Sequence, residues 1–367
     1  MAGNAISNIV SGIKDALSVS GGSVVGIDIG LSSVKVAEVS CDKDKENWVL
    51  TKYASVPLPE GSIIEDEIQK EEEIVDAIDR AIKEAGITAK IASIGLAGPN
   101  TVARKLQLAG GSEEEIEDQV VWEAEQYLPF EIEQSTVSFH VVGENEGGGV
   151  DVIVAAARND IISSFKNLVE QVNLKVKVVD LGLVAVTNVF ELVMEEKIED
   201  ISQSWLLIDL GAQKTEFIIY KNGMIAFTKE MNVGGVMITE EIQRQMGVNY
   251  DEAEDLKITG DGQGNLPEEI LEIIDDVVEA FFSEIKKTID FYISSTSDES
   301  MMGCLVTGGS ALIPGIIEGL EALLGVEVSV LNPFDIFGIE IEDLSEEKKK
   351  EIQYRGCSVI GLAMRQV

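Results

Sequence analysis

A strand that ends in aspartate, turns through glycine and small polar residues and returns as a second strand occurs twice in this chain. The copies read VVGIDIGLSSVK at 24–35 and WLLIDLGAQKTE at 205–216, with second strands over 34–39 and 215–220. Such a turn points backbone N–H groups and side-chain oxygens into one small space. Glycine lets the backbone approach closely, the turn amides form an anion-binding concavity, and a nearby carboxylate holds a hydrated Mg²⁺ that neutralises phosphates. A single copy reads first as an ordinary hairpin. Two copies, with Asp28 and Asp209 far apart in sequence but in the same strand context, imply two related half-domains gripping a nucleotide from both sides.

The length of 367 residues accommodates about two or three domains with cores of their own. A net charge of −38 argues against binding nucleic acid or anionic lipid and attracts basic partners at long range; a generally acidic protein background explains it equally well. Cys41, Cys304 and Cys357 are scattered and odd in number, which reads as reduced intracellular thiols. His140 is the only histidine, so histidine triads are excluded and a histidine-ligated metal is disfavoured. No apolar run approaches the ~20 residues that span a bilayer, and no signal peptide is visible, so a cytoplasmic location is expected.

Taken in order, Ile6, Ile9, Val10, Ile13, Ala16 and Leu17 have helical spacing in an N-terminal extension, 1–22. The first half-domain, 23–96, carries the first turn, a strand over 48–56, a helix over 71–85 stopped by Gly86, and a strand over 91–96. A small α+β block is expected as an insertion at 97–174. It comprises a strand over 102–108, a helix from the capping box Ser112–Glu115 to Tyr127, a hairpin over 137–157 and a helix over 159–172. The first half returns at 175–201 with a strand over 176–179 and a linking helix over 180–194. The second half-domain, 202–331, adds a long amphipathic helix over 268–294 and a strand that ends in Gly308, Gly309 and Ser310. The segment 332–367 returns to the first half through a helix over 354–365, whose Gly356, Ser358, Gly361 and Ala363 permit close backbone approach. This alternation is an α/β architecture. Gly234 and Gly235, placed before a helix, are a further candidate for backbone approach to ribose or phosphate.

The stretches GIDIGLSSVKVAEV at 26–39, EEIEDQVVWEAEQYLPF at 114–130, DVIVAAARNDII at 151–162, LIDLGAQKTEFIIY at 207–220 and TGGSALIPGI at 307–316 together resemble the actin-like ATPase superfamily. Within it they are most similar to the PilM family of type IV pilus assembly. The resemblance implies an actin-like ATPase fold: two duplicated half-domains around a nucleotide cleft, with the inserted subdomain in the first half. It implies ATP with Mg²⁺ as ligand. Asp28, Gly30, Ser32, Ser33 and Lys35 stand in the first phosphate element, Asp209, Gly211, Gln213, Lys214 and Thr215 in the second, and Gly308, Gly309 and Ser310 in the adenosine element. Asp28 and Asp209 hold Mg²⁺ through water in this reading.

The same resemblance implies a scaffold at the inner face of the cytoplasmic membrane, associated with it through the N-terminal tail of a PilN-like protein. Other inner-membrane or motor components are further expected partners in pilus biogenesis and twitching motility. Trp122, Tyr127 and Phe130 are candidates for the tail surface, with core positions as the alternative. A sugar kinase would need a second-substrate pocket and a carboxylate base, for which no motif stands out. An FtsA-like filament-forming protein at the membrane, with self-association, is the remaining alternative. Hydrolysis is left open as a slow ATPase activity; Asp180, ahead of the linking helix, is the one candidate catalytic residue, with an ordinary N-cap as its alternative.

Overall fold

The computed structural model describes residues 23–42, 47–64, 67–145, 147–260, 266–298 and 301–365. The expected extension 1–22 and its helix lie outside them. In the first half, β1 (Val24–Ile29), β2 (Ser33–Asp42) and β3 (Asn47–Pro57) form an antiparallel meander. A two-stranded hairpin, β4 (Ile63–Ile64) and β5 (Glu67–Ile68), leads to α1 (Glu71–Ala85), which Gly86 ends in a left-handed cap. β6 (Ile91–Leu96) then joins β1 in parallel. The next four elements are β7 (Thr101–Leu108), α2 (Glu113–Tyr127), β8 (Ser135–Glu144) and β9 (Val150–Arg158). α3 (Asn159–Glu170), β10 (Lys175–Leu181) and α4 (Gly182–Met194) follow, with β10 parallel to β6.

The second half repeats this plan. β11 (Ser204–Leu210), β12 (Thr215–Lys221) and β13 (Met224–Met231) are again an antiparallel meander. α5 (Val236–Met246), α6 (Tyr250–Thr259) and α7 (Glu268–Thr296) lead to β14 (Met301–Thr307), parallel to β11. α8 (Ile316–Leu324) and β15 (Glu327–Val330) complete the half. β16 (Gly338–Ile339) adds to the first sheet beside β3, and α9 (Glu346–Arg355) and α10 (Cys357–Ala363) end the chain. Strand orders are β10-β6-β1-β2-β3-β16 and β13-β12-β11-β14-β15. With β1 matched to β11 and β6 to β14, the two sheets share one topology, so the duplication read from the turns extends to the whole half-domain.

Three cores hold the halves. Ile74, Ile78 and Ala81 of α1 and Phe165, Leu168 and Val169 of α3 cover one face of the first sheet, while α5, α7 and α8 cover the outer face of the second. Between the halves, α4 contributes Val186, Val189 and Phe190, and α10 contributes Val359 and Ile360, to one shared core. This burial on all sides explains why α4 is apolar almost throughout. α10 crosses both β1 and α4 at backbone distance: a Cβ on Gly26 would stand 2.4 Å from the Val359 carbonyl oxygen, and one on Gly361 2.0 Å from that of Ala185.

The inserted block has its own core of Leu106, Leu108, Ile116, Val120, Val152 and Val154, under a sheet ordered β7-β9-β8. Its helix starts at the expected capping box: the Glu115 amide donates to Ser112 Oγ and the Ser112 amide to Glu115 Oε2. α3, expected inside this block, buries its apolar face in the first-half core instead, so the unit with a core of its own closes at Arg158. The expected helix over 354–365 is two helices broken at Gly356. α9 escapes sequence detection because EEKKKEIQYR buries only Ile352 and has almost no apolar stripe. The linking helix begins at Gly182 rather than Asp180, which belongs to β10.

Candidate nucleotide cleft

The two duplicated turns face one cleft of about 750 Å³ at the strand ends of both sheets. They are built alike. The Gly30 amide donates to the Ser33 carbonyl at 3.0 Å, and the Gly211 amide to the Lys214 carbonyl at 2.9 Å. Asp28 stands opposite Lys35 across β1 and β2, and Asp209 opposite Glu216 across β11 and β12. That single difference makes the halves electrostatically unequal. Lys35 Nζ lies 2.9 Å from Asp28 Oδ2, whereas Asp209 has a carboxylate neighbour instead.

Both carboxyls of the second turn are raised, first of all by burial. Burial, then the charge of Asp28 across the cleft, push the Asp209 carboxyl up to about 6, with Lys35 opposing. Burial pushes Glu216 well above the usual carboxylate range, helped by Asp209, Glu230 and Asp28 and opposed by Lys214. Lys214 Nζ lies 3.2 Å from Glu230 Oε1. Among the described residues, no three acidic, cysteine or histidine side chains converge to hold a metal ion directly, so Asp28 and Asp209, which line one cleft, suit Mg²⁺ only as an ion held through its water shell.

Asp28, Gly30, Ser32, Lys35, Asp209, Gly211, Lys214, Gly235, Gly308, Gly309 and Ser310 all line the cleft. Ser33, Gln213, Thr215 and Gly234 do not. Ser33 is buried and receives a 3.4 Å hydrogen bond from Arg355 Nη2. Thr215 donates to the Val233 carbonyl at 2.7 Å, and Gly234 packs where a Cβ would stand 2.4 Å from the Ala212 carbonyl oxygen. Thr215 and Gly234 thus hold the second turn in place. Gly308 has φ 92°, and a Cβ there would meet the Leu210 carbonyl oxygen at 2.3 Å, so glycine is required for β14 to turn beside β11. Ser310 Oγ donates to the Gly211 carbonyl at 2.7 Å, tying this third turn to the second.

Asp180 does not line the cleft. Its carboxylate accepts from Arg365 Nε at 2.6 Å and from the Leu181 amide at 2.9 Å, and the N-cap of α4 is Leu181. These contacts give Asp180 a part in anchoring the C-terminal segment. Trp122 is 62% exposed on α2, while Tyr127 lies half-buried with the Arg104 guanidinium 4.8 Å from its ring centre. Five residues apart on a helix, the two do not share a face. Phe130 is half-buried beyond the helix end.

The cleft also holds residues that no motif announced. Lys257 Nζ contacts Glu254 Oε2 at 2.6 Å, Thr239 Oγ1 at 2.8 Å and the Gly235 carbonyl at 3.2 Å, and burial lowers its pKa. Read in sequence, Glu254 and Lys257 are an ordinary i,i+3 helix pair. Arg355, at the end of α9, lies against Ser33 of one half and Gly309 of the other. Tyr250 and Ile258 supply an aromatic and an apolar wall.

A family model described as type IV pilus assembly protein PilM matches residues 26–367. The chain belongs to the PilM family. A chain of a PilM–PilN type IV pilus biogenesis complex superposes on it with a TM-score of 0.82 at 24% identity, covering 94% of this chain and 98% of that one. The ethanolamine utilization protein EutJ from Carboxydothermus hydrogenoformans superposes with a TM-score of 0.55 at 14% identity over 100% of both chains. The cell division protein FtsA of Pseudomonas aeruginosa is 24% identical over 361 residues, covering 87% of this chain and 85% of its own length. FtsA of Streptococcus pneumoniae is 26% identical over 351 residues, covering 85% and 76%. The PilM architecture seen here is the actin-like ATPase fold. Among the described residues, no helix of this PilM family member is long and apolar enough to cross a membrane.

Proposed function

We propose that this PilM family chain is a nucleotide-binding scaffold of type IV pilus assembly that holds the cytoplasmic N-terminal tail of a PilN-like membrane protein. The carrying observation is the likeness over 94% of the chain to a chain of a PilM–PilN complex, together with the family match. The tail would bring the scaffold to the inner face of the membrane.

In the cleft, Ser32 on one side and Lys214 on the other offer polar groups to a triphosphate, while Gly30 and Gly211, whose amides close the turns, leave the approach clear of side chains. Lys35 and Arg355 supply positive charge, Gly308 to Ser310 bring backbone close to the nucleoside, and Tyr250 and Ile258 flank it. Asp28 and Asp209 would hold Mg²⁺ through its water shell, and the ion would offset the carboxylates that crowd the second turn. Bound nucleotide contacts both halves and so favours one relative orientation of them.

Calorimetry with a synthetic PilN N-terminal tail, in Mg-ATP and in nucleotide-free buffer, tests both parts. Tail binding with an affinity that differs between the two buffers is expected. Normal ATP binding with no tail binding in either buffer would put an FtsA-like filament first, a reading that the FtsA relatives favour and that sedimentation with ATP checks.

A further inference from the structure

Among the described residues, the inserted block has one sheet edge that no strand covers. Its strands run β7-β9-β8; the β7 side lies alongside β13 of the second half, and among the described residues no strand pairs with the outer side of β8. A ten-residue edge strand presents alternate N–H and C=O groups outward and is a template for further pairing. Proteins blunt such edges with lysine, proline or bulges. Here 135–143, STVSFHVVG, holds no proline and no charged residue, in a chain that is 26% charged. The one bulge, between Val141 and Gly143, leaves 135–141 in unbroken register with β9. Thr136, Ser138 and His140 are exposed on one face, and Val137 and Phe139 rest half-buried on the core under α2.

The ends of this neutral strand are acidic. Glu131 and Glu133 precede it and Glu144 closes it, all exposed. A second copy pairing antiparallel on this edge would set Glu131 and Glu133 of each chain against Glu144 of the other, so like charges oppose self-association. A segment with basic residues at both ends meets opposite charge instead.

We infer that the outer edge of β8 takes an extended segment of a partner protein as a fourth strand, with an uncharged β-forming centre of about seven residues, ~23 Å long, and lysine or arginine on each flank. The surface goes beyond the tail-binding reading above and does not depend on it.

The test uses the full chain and fluorescence-labelled peptides. KKTVTVTVTKK is expected to bind about tenfold or more tighter than EETVTVTVTEE, and the double variant Glu133→Lys with Glu144→Lys is expected to reverse that preference. N-methylation of alternate peptide residues removes donors from one edge of the peptide at a time, so one methylation register should abolish binding and the other spare it. Equal binding of both flanking charges, or equal effects of both methylation registers, overturns the proposal. So does displacement of the bound peptide by a PilN tail, which would put the tail itself on this edge. A chain dimer that KKTVTVTVTKK dissociates would make a second copy the occupant and overturn it as well. Failure of tail binding with peptide binding intact would reject the tail reading alone.

Discussion

Glu191 is the one ionisable residue in the otherwise apolar run of α4, and it sits where the two halves share a core. Burial pushes its carboxyl up to about 7, while a hydrogen bond from the Tyr220 hydroxyl and the charge of Arg365 act the other way. An acid whose pKa is higher in the folded than in the unfolded chain binds its proton more tightly when folded. Its contribution to stability is therefore full below about 4.5 and is lost as pH rises towards 7, beyond which it changes no further. Glu191→Gln keeps an acceptor for Tyr220 and removes the titration. Urea unfolding of that variant should lose the fall in stability between those pH values and gain on the order of 2–3 kcal/mol at pH 8. An unchanged pH profile would show that Glu191 is not the group that titrates. Asp209 shows the same physics at the cleft, where burial first and the charge of Asp28 second raise its carboxyl and Lys35 opposes them.

Among the elements, α10 crosses α4 and β1 at backbone distance. Its small residues were legible as a pattern that permits close approach, but which backbone they approach was not. Gly361 faces the Ala185 carbonyl, and Gly26 faces Val359 and Ala363. Gly361→Ala would force a methyl to within 2.0 Å of that oxygen, and the atoms it meets are the backbone of Ala185 rather than the end of a flexible side chain. Chemical denaturation is expected to show a loss of about 3 kcal/mol or more, whereas a loss under 1 kcal/mol would mean that the helices slide apart freely. The strands flanking the two duplicated turns, α1 and the α2 capping box were readable because each carries a local signal: alternation, a glycine stop or Ser112 with Glu115. α9 carries no such signal, and its place is fixed by the Tyr354 carbonyl accepting from the Gly308 amide at 2.7 Å and from Thr307 Oγ1 at 3.1 Å. Those partners lie in the other half-domain.

At the scale of the molecule, the inserted block touches both halves. It is covalently part of the first, and Thr228 Oγ1 of β13 donates to the Ala103 carbonyl of β7 at 2.9 Å. Any change in the angle between the halves thus reaches the block through a second route besides its chain connections. If nucleotide alters tail affinity, Thr228→Val should shrink the ratio of affinities with and without Mg-ATP by up to about fivefold, the amount that one hydrogen bond of ~1 kcal/mol transmits. Tail titrations of wild type and variant in both buffers measure it; an identical ratio would show that the coupling runs elsewhere.

What the chain determined by itself is the duplicated half-domain, the turns that follow Asp28 and Asp209 and the presence, though not the end, of the inserted block, because each is written in contiguous residues whose spacing is a local property. The tertiary structure alone decided which turn residues line the cleft and which support it. Thr215 and Gly234 look like cleft residues in sequence but face inward, because their contacts are to Val233 and Ala212 within the second half. Arg355 and Lys257 look like ordinary helix charges but reach the cleft, because α9 and α6 are carried there by packing between segments distant in sequence. Side-chain direction into a site between two sheets depends on the placement of both, and no local pattern encodes it.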